Sequence, residues 1–404
     1  VIARSSSRKF GWCVDLVSDN APEESEFRVA AESMVGHTGR LVTDHEIDSE
    51  GRGTSFRAGD LLFSKLRPYL AKSWVANRDG EALGDIHVYR PVDEMCSRYL
   101  GYLLLSSFFL EQVNASTYGT KMPRANWDFI KTIEVWAPDF DTQRRIADYL
   151  DRETATIDAL IEKQRRLLVV LLERRREAIR AAVFGSNEAC LNADPLEALP
   201  EGWRRAKLRH VATMHTGHTP SRSKPEYWED ASIPWFTLAD VWQLRPGTRK
   251  YLGETKSRIS PLGLENSAAE LLPKGTVVLS RTASVGFTGI MPRAMATSQD
   301  YWNWVCGPQL CPEFLWNVFR AMKSDFDSLK AGSTHKTIYQ ADAAALQIPL
   351  PPVQTQQAIV DHLDRETAKI DALIAKAERF IELAQERRAA LITAAVTGQI
   401  EIPT

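Results

Sequence analysis

The 404-residue chain contains itself twice. The stretch from Thr142 to Gly185 recurs from Thr355 to Gly398 at a constant offset of 213 residues, and about 25 of the 44 positions are identical without a gap. A period of half the chain length means a duplicated two-part unit, not a solenoid of short repeats. Whatever fold the chain adopts must therefore be built twice, as a module followed by the repeated segment.

The repeated segment reads as a long helix. Ile146, Leu150, Ile157, Leu160, Ile161, Leu167, Leu168 and Leu171 fall on three adjacent heptad positions, which Ile359, Leu363, Ile370, Leu373, Ile374, Phe380 and Ile381 occupy in the second copy. Such a stripe suits a helix buried along one face against another helix. Thr142 and Thr355 are expected to cap the starts, and Gly185 and Gly398 to end the helices. The Asp-Arg-Glu-Thr segments beginning at Asp151 and Asp364 are expected to mark a kink or to serve capping and i,i+4 roles. About 40 residues at 1.5 Å each give a rod of roughly 60 Å. The matched lengths predict an antiparallel pair. Arg174-Arg175-Arg176 and Arg387-Arg388 are expected on a solvated face or on a surface that docks a partner.

The chain then divides into a first module over 1–140, a helical region with linker over 141–198, a second module over 199–350 and a C-terminal helical region over 351–404. The modules have diverged but keep the order of their landmarks. Gly59-Asp-Leu-Leu-Phe-Ser-Lys65 matches Gly275-Thr-Val-Val-Leu-Ser-Arg281: a turn glycine, a buried strand, then a serine and a cation at its exit. Strand-like runs at Ile133–Trp136 and Ile348–Leu350 lead into each rod, and helical stretches follow Ser97 and Cys311. The fold class is α/β (α+β), with two globular modules separated by two long antiparallel helices in a pseudo-twofold duplication.

Charge does not announce a partner: 50 Lys+Arg against 52 Asp+Glu leave a net charge of -2. Any nucleic-acid contact must come from local surfaces. Cys13, Cys96, Cys190, Cys306 and Cys311 are scattered and odd in number, which argues against a disulfide framework or a structural zinc site and for a reducing cytoplasm. No apolar run approaches the roughly 20 residues of a membrane span, and none follows the polar first ten residues as in a secretory leader.

Several segments carry a resemblance: Leu199-Pro-Glu-Gly-Trp203, Gly217-His-Thr-Pro-Ser-Arg-Ser-Lys224, Ile233-Pro-Trp-Phe-Thr237 and Gly332-Ser-Thr-His-Lys-Thr337, with Phe63-Ser-Lys-Leu-Arg67 and Tyr118-Gly-Thr-Lys-Met-Pro-Arg124 in the first half. In this duplicated order the chain resembles the specificity subunit of type I restriction–modification enzymes over nearly its whole length. The first module departs in lacking the Leu-Pro-x-Gly-Trp opening. The resemblance implies two target-recognition domains, each recognising one half of a bipartite site in double-stranded DNA. It implies helices that space these domains and dock methylation subunits, two per chain, and no membrane; whether restriction subunits join the assembly is left open by the resemblance. It also implies no catalytic residue and no cofactor in this chain, S-adenosylmethionine belonging to the methylation subunit.

Base and phosphate recognition needs cations, hydroxyls and amides presented from loops. Lys65, Arg67, Lys121 and Arg124 are the candidates in the first module. Thr219, Ser221, Arg222, Lys224, Arg281, Thr334, His335 and Lys336 are those of the second. Trp127, Tyr227, Trp228 and Trp235 are expected as core or loop anchors. A methyltransferase acting alone would need a glycine-rich cofactor loop and an Asn/Asp-Pro-Pro-Tyr/Phe motif, whereas the Pro-Pro at 351–352 follows Leu350. A motor subunit would need Gly-x-x-x-x-Gly-Lys-Ser/Thr, which is absent. A coiled-coil adaptor binding only protein would explain the rods but not the cationic, hydroxyl-rich loops.

Overall fold

The computed structural model describes residues 7–20, 25–42, 51–117, 122–185, 195–282, 284–328 and 337–402. It resolves into two units, Val1–Arg165 with Glu378–Thr404, and Arg166–Ala377. Both long helices run unbroken, over Phe140–Phe184 and Val353–Val396. The division of units falls within each. In each unit the first half of one helix therefore lies with the last half of the other, an antiparallel arrangement.

Each module is closed by its own ends. Ser7–Lys9 pairs antiparallel with Glu134–Trp136, and Arg204–Lys207 pairs with Gln347–Leu350, so the strand entering a module lies beside the strand leading into the rod. Between them stands a four-stranded sheet. Its order is Val14–Val17, Ile86–Pro91, Leu61–Ser64, Ser73–Val75 in the first module and Ala212–Thr216, Tyr301–Cys306, Val277–Ser280, Thr288–Ile290 in the second. The central strands read as continuous apolar runs because both their faces are covered: Leu61, Leu62 and Phe63 are fully buried, as are Val277, Val278 and Leu279. Each such side chain contributes about 1.5–3 kcal/mol on burial. Helices Ser97–Leu105 and Ser107–Ala115 cover one face of the first sheet, and Pro312–Ala321 and Lys323–Ser328 follow in the second.

The helix ends bear out the glycine stops and correct the caps. Gly185 and Gly398 take φ of 64° and 69°, the left-handed geometry that an L side chain resists. The first helix starts two residues before Thr142, and Asp139 accepts the Thr142 N–H at 2.9 Å. The second starts at Val353, which puts Thr355 inside the first turn. No break occurs at Asp-Arg-Glu-Thr. Thr154 and Thr367, both buried, instead donate to the carbonyls of Leu150 and Leu363 one turn back, at 2.6 and 2.7 Å. The apolar stripe is buried only in part: Ile146, Leu150, Ile157 and Ile161 are covered, while Leu160, Leu167, Leu373 and Phe380 are exposed.

Two polar contacts recur at the 213-residue offset. Gln143, fully buried, accepts the Cys96 N–H and donates to the Pro138 carbonyl; Gln356 does the same with Cys311 and Pro351. A buried amide satisfied on both sides fixes where the helix meets its module. The arginine runs were expected on a solvated or partner-docking face; Arg174, Arg176 and Arg387 are exposed, and one residue of each run differs. Arg175 and Arg388 are buried. Arg388 pairs with Asp158, and Arg175 with Asp371, each pair joining the two helices within one unit. The remaining guanidinium nitrogens donate to module carbonyls, His37 and Thr38 in the first unit, Pro246 and Gly247 in the second. The burial of these two was not legible in the sequence because the module loop that covers them is remote along the chain.

Candidate nucleic-acid interface

The matched strand exits prove to be one structure built twice. Gly59 and Gly275 turn into the strands with φ of 94° and 88°. At the far ends Ser64 and Ser280 are buried and donate to carbonyls two residues on, Leu66 and Thr282, at 3.1 and 3.4 Å. That hydroxyl bond bends the chain around the half-buried cation between them. The Lys65 N–H donates to the Asp85 carbonyl and the Arg281 N–H to that of Asp300, both at 2.9 Å. The segment arriving before each rod returns to the same point, Ala125 N–H to the Lys65 carbonyl and Ile338 N–H to that of Arg281. Lys65 and Arg281 thus occupy equivalent corners.

In the first module this corner gathers Lys65, Arg67 and Arg124. Arg67 is exposed with φ of 49°, and its N–H donates to the Pro123 carbonyl at 2.8 Å. Asp85 stands between two of these cations, 2.8 Å from Arg124 and 3.8 Å from Lys65. Beside them a cavity of about 410 Å³ is lined by Asp85, His87, Asn126 and Trp127. His87 is hydrogen-bonded to Tyr89 at 2.9 Å. Burial, then the nearby Lys65, pushes its pKa from 6.5 down to about 4 against the opposing pull of Asp85, so the ring is neutral at pH 7. Asp85 and His87 were missed in the sequence, where neither stands near a cationic run.

The second corner is built from aromatic faces. Arg281 lies 4.3 Å from the ring centre of Trp302, the residue at the place of His87. Asp300 accepts from Thr282 at 2.6 Å and from Ser298 at 2.8 Å. The next residue back, Gln299, accepts from Thr219 at 2.6 Å, which brings the 217–224 loop to the same corner. Gly217 is required there, since a Cβ would collide with the Thr297 and Ser298 carbonyls. Arg222 packs 4.9 Å from the centre of Trp228, and Lys224 donates to the Tyr227 hydroxyl at 3.2 Å. Ser221 is exposed like both cations and bonds Ser223. Tyr227 and Trp235 are buried, and Trp127 and Trp228 half-buried, as expected of anchors. Lys121, Thr334, His335 and Lys336 lie outside the described residues.

Among the described residues no cluster of His, Cys, Asp or Glu could hold a metal, and no helix is long and apolar enough to cross a membrane. Two mixed α/β modules, each seated on a pair of long helices and each presenting a cation at an equivalent strand exit, define a duplicated recognition scaffold. The chain belongs to the type I restriction modification DNA specificity domain family, whose model matches residues 73–168 and 200–382. It is similar to the type I restriction enzyme MjaIX specificity subunit of Methanocaldococcus jannaschii, 25% identical over 163 residues, 40% of this chain and 37% of that one. It is 24% identical over 204 residues to the EcoR124I/EcoR124II specificity subunit of Escherichia coli, 48% of each chain. The chain thus spans half or less of the length of these curated relatives. Two solved structures share the fold. A chain from a study of complex assembly and conformational transition of the type I R-M system is 20% identical with a TM-score of 0.74, over 99% of this chain and 100% of that one. The HsdS subunit of Thermoanaerobacter tengcongensis is 21% identical with a TM-score of 0.52, over 98% of each.

Proposed function

We propose that this chain is the non-catalytic DNA-specificity subunit of a type I restriction–modification system, each module reading one half of a bipartite double-stranded site. The observation that carries this reading is the duplicated corner. Two diverged modules keep the same serine-bent strand exit, the same cation position, Lys65 or Arg281, and an aspartate whose carbonyl accepts its N–H. The side chains lining the corner differ, His87 in one and Trp302 in the other. That is the pattern of a common presenting device with separate readouts. Phosphate contacts position such modules and side chains at base edges specify. The helices dock methylation subunits, two per chain, in a cytoplasmic assembly. Exposed Val169, Val170 and Leu172 on the first helix and Phe380 and Leu383 on the second support a docking role. Methyl transfer belongs to those partners, which carry S-adenosylmethionine; this chain holds no cofactor. A protein-only adaptor would leave the two corners without a purpose.

The test is to reconstitute the chain with its methylation subunit and sequence the methylated positions in DNA. Two short conserved blocks separated by a fixed gap of unspecified bases are expected. The chain alone should neither bind S-adenosylmethionine stoichiometrically nor methylate DNA. Methyl transfer by the isolated chain, or one continuous recognition block, overturns the reading.

A further inference from the structure

Each unit holds a cleft where the module meets the helices, and the two clefts occupy equivalent places. In the second unit Leu172, Arg175, Arg176 and Ile179 form the helical wall. Their counterparts 213 residues on, Gln385, Arg388, Ala389 and Ile392, form the helical wall of the cleft in the first unit. Their charge differs. Asp158 and Glu162 line the first cleft, which has a volume of about 660 Å³. The second, of about 180 Å³, is lined by Arg175, Arg176, Arg245, Arg320 and Lys323, and by no carboxylate.

Arg175 is neutralised by Asp371 at 3.1 Å. Arg320 is not neutralised in this way. Its guanidinium packs 4.2 Å from the centre of Trp316 and donates to Asn317 at 2.9 Å, and among the described residues no carboxylate pairs with it or with Arg245. Burial, then the like charge of Arg175, presses its pKa down, against the weaker pull of Asp371 and Asp364, neither of which bonds it. An arginine nonetheless stays protonated, so the cleft keeps a poorly compensated charge. Such a charge is costly unless an anion meets it. A carboxylate offers two oxygens; a phosphoryl group, whether free phosphate with close to two charges or a backbone phosphodiester with one, presents tetrahedral acceptor oxygens that suit the forked donors of paired guanidinium groups.

We propose that the cleft of the second unit is a phosphate-binding site in which Arg320 and Arg245 are the ligands and Arg176, 61% exposed and loosely paired with the exposed Glu177 at 3.6 Å, is the outer cation. The phosphoryl group comes either from a free anion or from a DNA backbone. The proposal does not depend on the specificity-subunit reading, because calorimetry with inorganic phosphate needs neither a recognition site nor a partner subunit.

The experiment uses the full chain, titrated with inorganic phosphate against chloride of equal ionic strength, and separately with a duplex of unrelated sequence. One phosphate per chain is expected, with affinity weakened about tenfold or more in Arg320→Met and in Arg245→Ala. Arg245 is exposed, so its variant keeps the test decisive if Arg320→Met fails to fold. Arg40→Ala, in the first cleft, is expected to change nothing. If only duplex binds, and each second-cleft variant lowers the salt slope by about one, the phosphate is that of a DNA backbone. Absence of both kinds of binding, or an Arg40→Ala effect equal to that of Arg245→Ala, overturns the proposal.

Discussion

One aspartate–arginine pair recurs in each unit, and Asp158 with Arg388 makes a better joint in the first than Asp371 with Arg175 makes in the second. Arg388 Nε donates to Asp158 at 3.0 Å, and the other carboxylate oxygen accepts from Arg40 at 2.9 Å. Its terminal nitrogens reach the His37 and Thr38 carbonyls at 2.7 and 3.2 Å. In the second unit Arg175 Nε lies 3.1 Å from Asp371, but out of line for a hydrogen bond, and both atoms are buried without one. Burial presses the Arg175 pKa down against the pull of Asp371. Among the described residues no second arginine bonds Asp371 as Arg40 bonds Asp158; Arg320 is near enough to feel Asp371, but it also adds like charge beside Arg175. The helices contribute identical residues. The module loops, which have diverged, decide how well a buried ion pair is completed.

The largest test of this difference is to remove each arginine. Breaking a buried pair on one side leaves an uncompensated charge and costs about 3–5 kcal/mol. Arg388→Met should fall in that range in urea unfolding. Arg175→Met should cost about 1 kcal/mol less, because one hydrogen bond is already missing. Equal losses would mean that the joints are energetically alike and the geometric contrast is without consequence.

Acid should separate the modules next. The folded pKa of His87 lies at about 4, below its ordinary 6.5, so between those values the unfolded chain binds the proton that the folded chain refuses. Stability through this group is fully present above pH 6.5 and is lost as pH falls toward 4, on the order of 3 kcal/mol in all. Trp302 takes the equivalent place and does not titrate. His87→Phe should flatten the pH dependence of unfolding in that window; an unchanged slope would acquit His87. The corner cations come third. Lys65→Ala and Arg281→Ala should each weaken binding by about 1–3 kcal/mol, at opposite halves of the site. Equal loss of preference at both halves would break the assignment of one reader to each module.

The duplication was legible in the sequence because it is a direct, ungapped repeat, and the helix stops and the strand–serine–cation landmark because each depends on residues within one turn or one strand of each other. The arginine clamps were not. Asp158 and Arg388 are 230 residues apart, and only the fold shows that His37 and Thr38 cover them. A sharper reading was available: Asp158, Arg175, Asp371 and Arg388 are all retained at the 213-residue offset, whereas Arg176 faces Ala389. An antiparallel pair brings a residue early in one copy beside one late in the other, so retained opposite charges were the signal. Of the corners, Lys65 and Arg281 could be found from pattern. Asp85, His87 and Asp300 arrive on a neighbouring strand or turn, which no local pattern announces.

The smallest effect concerns Arg222, and it separates an anchor from a reader. Its exposed guanidinium lies 4.9 Å from Trp228 and 5.9 Å from Trp235, a geometry worth about 0.5–1 kcal/mol at a surface. Arg222→Ala should therefore destabilise the second module by no more than that amount. If the charge also meets a phosphate, the slope of log K against log salt should shrink by about 0.9, and affinity should fall alike for cognate and unrelated duplexes. Arg222→Lys divides the two roles: ammonium keeps the charge for phosphate but loses the planar stack on the indole. The expected outcome is a salt slope restored by lysine with the stability loss retained. A slope unaffected by either substitution would leave Arg222 as packing for the two tryptophans, and the electrostatic grip of this module would then rest on Arg281 and Lys224.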